Sequence, residues 1–164
     1  MGEQLFVDPL ASQSGPRRSP AGLESAGQPV VAGPSTSHAD IPLAADRAIE
    51  AFSEYPHLWW PANLRSQGAE SHLEFTGGEL VEEGTDGTAH LWATIAAVEP
   101  GELQLEWWGR PGASDANCRV VIRFVSNEGE DRTMVSVELE DAPVSALWEQ
   151  LLAGFARFTG GALV

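Results

Sequence analysis

Three histidines, His57, His72 and His90, lie near Glu70, Glu74 and Glu82 in the sequence of a 164-residue chain. A zinc site needs ligands at fixed spacing, such as two histidines one helical turn apart, and no pair here has it. No metal is expected. Cys118 is the one cysteine, which excludes an intrachain disulfide and a thiolate cluster. Within "NCRVVIRFV" it reads as a small buried hydrophobe, not as a nucleophile. No serine occupies a Gly-x-Ser-x-Gly elbow, and no glycine-rich loop follows a strand and opens a helix, so a nucleophilic triad and a nucleotide site both lack support. The adjacent acids Glu82-Glu83 and Glu140-Asp141 fall at strand ends, where a solvated rim is expected. No catalytic residue and no cofactor is assigned.

The aromatic residues are the other chemical resource. "HLWWPANL", residues 57 to 64, sets Trp59 and Trp60 between Pro56 and Pro61. In an extended connection neighbouring side chains point opposite ways, and Pro61 confines the backbone of Trp60 to extended conformations. Trp60 is therefore expected in the core, and Trp59 at the rim as a gate or partner contact. His90, Trp92 and Thr94 share one face of a strand, and Leu91, Ala93 and Ile95 the other. Alternation alone does not choose which face looks inward.

Charge narrows the partners. Asp plus Glu number 24 against 9 basic residues, for a formal net charge of -15. Phosphate backbones and anionic membranes repel such a surface, and clustered basic residues that would release counterions are not found. Neither nucleic acid nor membrane is expected as a partner. No apolar run approaches a membrane span and the N-terminus lacks a secretory signal's apolar region, so the expected address is the cytoplasm.

Residues 1–36 mix Gly, Pro, Ser and Ala without a period and are expected to form a disordered tail, in which "QLFVDPL" is a possible docking motif. The rest, 37–164, reads as one domain. "HADIPL" suggests a strand, and "AADRAIEAFSEY" a helix with Ala48, Ile49, Phe52 and Tyr55 on one face, ended by Pro56. Hairpin signals follow at Gly77-Gly78, Asp86-Gly87 and Glu99-Pro100-Gly101-Glu102. The strand faces are Leu103, Leu105 and Trp107, then Val120, Ile122 and Phe124, then Val135, Val137 and Leu139. Pro143 suits the first turn of a closing helix whose Val144, Leu147, Trp148, Leu151, Phe155 and Phe158 recur at helical spacing before Gly160-Gly161. About six strands and a long final helix give an α+β fold, since a one-sided antiparallel sheet needs a helical cover.

That order resembles the helix-grip fold of the SRPBCC superfamily, which includes START domains, the birch pollen allergen group and polyketide cyclases. "AIEAFSEYPHLWWP", "EFTGGEL", "DGTAHLWATIAAVEPGELQLEWW", "VVIRFV" and "LWEQLLAGFARF" are similar to the branch named after the activator of heat-shock protein 90 ATPase. The chain departs from that branch in two places. Trp148 has no preceding glycine and follows a short loop, and Phe75-Thr76 stands where members often carry an arginine, so no anion-holding role is carried over.

The resemblance implies an antiparallel sheet wrapped around the last helix, with a hydrophobic cavity between them. Its expected lining is Phe75, Trp107, Phe124, Leu147 and Phe155, joined by Trp148 and Leu151 on the helix. Trp59, Trp60, His90 and Trp92 are expected at the lining or mouth. The implied function is binding of a hydrophobic or aromatic small molecule, and a cavity smaller than a drug-sized molecule would overturn it. A cyclase- or dehydratase-like enzyme using His90 or Glu106, and a chaperone-linked interaction protein with a protein partner, are the alternatives.

Overall fold

In the computed structural model, residues 36–110, 112–113, 115–140 and 143–164 are described. Residues 1–35 of the expected tail, with its docking motif, lie outside these residues, and Thr36 instead opens the first strand. The elements run β1 (Thr36–Ile41), α1 (Ala45–Glu54), α2 (Pro56–Trp59), a 3-10 turn (Ala62–Leu64), β2 (His72–Thr76), β3 (Glu79–Glu83), β4 (Ala89–Glu99), β5 (Glu102–Trp107), β6 (Cys118–Ser126), β7 (Thr133–Leu139), α3 (Ala146–Thr159) and β8 (Ala162–Leu163). The strands form one open sheet in the order β2-β3-β4-β5-β6-β7-β1-β8. Every pairing in it is antiparallel. The expected α+β arrangement is present, with eight strands instead of about six. The surplus includes β8, whose two residues are too few to show a period.

Strands β5, β6 and β7 obey strict alternation, and their apolar faces, including Leu105, Ile122 and Leu139, are fully buried. Burying such side chains contributes about 1.5–3 kcal/mol each. Helix α3 covers this face. Its Trp148 ring lies 4.8 Å from Trp107, and its Phe155 ring 5.2 Å from Phe52 of α1. Ser145 caps the helix by accepting the Trp148 N–H, and Gly160 ends it in the left-handed region, as the sequence predicts for that glycine. Pro143 stands outside the first turn, because the capping hydroxyl of Ser145 sets the start later. Phe158 is exposed, since α3 turns it away from the sheet.

Two local irregularities reset the expected faces. The β3–β4 register shifts between Leu80 and Val81, pairing Leu80 with Ala93 and Val81 with Leu91 and leaving Trp92 opposite no residue. Such a bulge reverses strand parity. Trp92 and Ala93 are consequently both fully buried while Leu91 is exposed. The second shift, between Ile95 and Ala97, brings Val98 opposite the inward Leu103.

Candidate functional site

Pro56 does not simply end α1. It occupies the first turn of α2, where its missing N–H costs nothing. Because Trp59 closes this helical turn, the side chains of Trp59 and Trp60 are not opposed as they would be in an extended segment. Both are 3% exposed. Trp59 stacks on Phe52 at 4.7 Å and donates its indole N–H to the Phe52 carbonyl. Trp60 packs on Trp92 at 5.0 Å and on Trp107 at 6.3 Å. The expectation that Trp59 is a gate at the rim is therefore corrected: it is a core residue.

The rings of Trp60, Trp92, Trp107 and Trp148, with Leu151 and Phe155, occupy the layer between sheet and α3 in which the resemblance implied a cavity. A pocket lies elsewhere, between α1 and the β4–β5 hairpin, with a volume of about 180 Å³. Ile49, Phe52 and Ser53 form its helical wall, and Phe75, Ile95, Val98, Leu103 and Phe124 its sheet wall, with Glu99 and Glu102 at the hairpin end. Of the expected lining residues, Phe75 and Phe124 meet here. Leu147 instead borders an open groove with Leu64, Arg110, Asp115 and Ser145. The volume is below the roughly 300–1,000 Å³ of drug-sized ligand sites, so this pocket is not the drug-sized cavity that the resemblance implied. Side chains as large as indoles have filled that space.

Signals for this pocket were present in the sequence without being assembled. Ile49, Phe52 and Ser53 recur at helical spacing, whereas the exposure of Val98 opposite the inward Leu103 shows only in the structure. Ser53 Oγ donates to the Ile49 carbonyl at 2.8 Å, so its one hydroxyl proton is already engaged within the helix.

A second constellation centres on Glu82, which was expected on a solvated rim and is instead fully buried. Its carboxylate accepts from the Ser66 N–H and hydroxyl, the Gln67 N–H, the Ser71 hydroxyl and the Trp92 indole N–H. Burial pushes its pKa up, but the hydrogen bonds from Ser71, Gln67 and Ser66 outweigh that and hold it at about 2. Arg65 donates to the carbonyls of His57, Ala69 and Ser71, and Arg110 to that of Leu64, with its guanidinium 5.8 Å from the Trp92 ring centre. The Arg65 bonds hold residues 57–71 to one another, and the bonds to Glu82 tie that segment to β3; the carboxylate, with all its donors internal, serves as an anchor.

His90 is half-buried, its ring perpendicular to Trp92 at 4.8 Å. Its Nε2 lies 3.0 Å from the Gly109 carbonyl, a contact that places the proton on that nitrogen. Glu106 pairs with Arg119 at 2.9 Å. Cys118 donates to the Asp115 carbonyl, and burial, with Asp115 nearby, pushes its pKa up to about 11. His57 and His72 rings are 4.9 Å apart, and burial followed by the charge of His72 lowers the pKa of His57. Among the described residues, no group of three or more metal-ligating side chains converges and no helix is long and apolar enough to cross a membrane.

No protein-family model matches the chain, and no curated protein does. Solved structures do match. CalC from Micromonospora echinospora, a self-sacrificing resistance protein, is 22% identical with a TM-score of 0.53, over 74% of this chain and 90% of that one. Major latex-like protein 151 from Panax ginseng is 17% identical with a TM-score of 0.50, over 77% of this chain and 93% of that one. An HSP90 activator from Plasmodium falciparum is 14% identical over 80% of this chain and 99% of that one, and its TM-score of 0.48 is too low to argue from. At these identities the likeness concerns architecture alone, and the architecture is helix-grip-like: an antiparallel sheet packed against a C-terminal helix.

Proposed function

We propose that the domain binds a small apolar molecule, of about single-ring size, between α1 and the β4–β5 hairpin. The observation that carries this reading is the pocket of about 180 Å³ walled by Ile49, Phe52, Phe75, Ile95, Leu103 and Phe124. For scale, a dry cavity of about 150 Å³ lined by Leu, Ile and Phe side chains takes up benzene. The enzyme alternative draws no such support, because Glu106 is engaged by Arg119 and His90 by the Gly109 carbonyl.

Titration of ¹⁵N-labelled protein with ethylbenzene tests it. Saturable amide shifts at Phe52, Phe75 and Leu103 are expected, and they should disappear in Ile49→Phe, whose ring fills the space. Shifts that fail to saturate, or that persist unchanged in that variant, would remove the pocket from consideration.

A further inference from the structure

Resting on that reading, the polar complement of the pocket restricts the ligand further. The walls carry few polar groups, and those present accept hydrogen bonds. The Ser53 hydroxyl already donates to the Ile49 carbonyl, so toward a ligand it can act only as an acceptor. Glu99 and Glu102 face each other across the hairpin at the pocket's end. Arg123 lies between Glu102 and Glu138, at 3.0 and 2.9 Å. Arg123 and Gln104 engage the two oxygens of Glu102, whereas among the described residues no ion pair holds Glu99 and no basic side chain lines the pocket. Directly opposed like charges are unfavourable across a strand pair, so an arriving cation gains where an arriving anion loses.

We infer that the pocket selects an apolar ring bearing an ammonium or another hydrogen-bond donor, and rejects the corresponding carboxylic acid. The apolar body is held by Phe52, Phe75 and Phe124, and the head group lies toward Glu99 and Glu102. The charge term acts at partly solvated distances, so its scale is moderate. Opposite and like charge at the mouth should separate amine from acid by about tenfold in affinity at low salt, and by less once the Debye length shortens.

The experiment compares three ligands of one shape on the full chain: ethylbenzene, 2-phenylethylamine and phenylacetate, each titrated by NMR at about 20 and about 300 mM NaCl. The amine is expected to bind more tightly than the acid at low salt, with the gap narrowing at high salt and in Glu99→Gln, while the wild-type chain's affinity for ethylbenzene changes little with salt. Ethylbenzene binding with phenylacetate equal to or tighter than the amine would overturn the charge selection and leave the pocket intact. Absence of binding by all three would instead overturn the pocket reading on which the selection rests.

Discussion

At the scale of single residues, the Glu82 carboxylate is the group whose loss is most consequential. A carboxylate only accepts, and five internal donors converge on this one. Glu82→Gln turns an amide N–H₂ toward groups that are themselves donors, and should cost about 2–4 kcal/mol in urea unfolding at pH 7. The pH dependence has a definite sign. The folded pKa of about 2 lies below the ordinary 4.5, so the contribution is complete above 4.5 and drains away as pH falls toward 2. It amounts to on the order of 3 kcal/mol in full. The stability gap between the wild-type chain and Glu82→Gln should thus close progressively between pH 4.5 and 2, and a constant gap would show that the carboxylate is not held as described. The tryptophans give an independent check. Trp92 and Trp107 are both fully buried. The Trp92 indole N–H reaches Glu82 at 2.8 Å, whereas Trp107 Nε1 has no partner among the described residues. Trp92→Phe should therefore cost more than Trp107→Phe by about 1.5–3 kcal/mol, the worth of a hydrogen bond to a charged group.

At the scale of elements, Gly154 shows how a helix and a connection are fitted together. Alanine in a helix interior is worth about 1 kcal/mol over glycine, so Gly154→Ala would ordinarily stabilise α3. A Cβ there would stand 2.5 Å from the Trp59 carbonyl oxygen and 3.1 Å from the Pro61 ring. Neither is the free end of a flexible side chain. Overpacking of this kind costs about 1–3 kcal/mol, so the variant should show no gain and a net loss of up to about 2 kcal/mol in thermal unfolding, and a gain would place α2 farther from α3. The same elements show what a sequence reveals. Periods of two and of 3.6 were enough for β5, β6, β7, α1 and most of α3, because burial on one face imposes them. The helical turn Pro56–Trp59 escaped, since four residues hold about one period and prolines on both sides suggest an extended link. Trp92 escaped because a bulge has no periodic signature: both parities considered for the 88–98 strand are correct, each for part of it. Glu82 was read as solvated because the donors that bury it come from Ser66, Gln67, Ser71 and Trp92, brought together only by the β2–β3–β4 pairing. The pocket was misplaced for a related reason, as aromatic residues on inward faces fit a filled core and a lined cavity equally well.

At the scale of the whole molecule, the architecture followed from the order of elements, whereas the charge balance governs behaviour that no single contact explains. All basic residues are arginines, nine against 24 acids. Two of them, Arg65 and Arg110, make their hydrogen bonds to backbone carbonyls instead of carboxylates. The ion pairs of Arg47, Arg119, Arg123 and Arg132 have side chains exposed by 41% or more on the arginine side, and exposed pairs contribute about 0–1 kcal/mol each. Salt weakens these attractions, but it also screens repulsion among the acids that have no arginine, and the excess of acids makes repulsion the larger sum. Raising NaCl from about 10 to 150 mM shortens the screening length from roughly 30 to 8 Å, which reaches the repulsion between separated carboxylates more than pairs in contact. The midpoint of thermal unfolding should accordingly rise across this range, by an amount on the order of 1 kcal/mol or roughly 4 °C for a domain of this size. Calorimetry at pH 7 in NaCl, repeated with Na₂SO₄ at equal ionic strength, separates screening from salting-out, because screening depends on ionic strength whereas salting-out is stronger for sulfate. A midpoint that falls with NaCl would mean that the surface arginine pairs, despite their exposure, outweigh the unpaired acids.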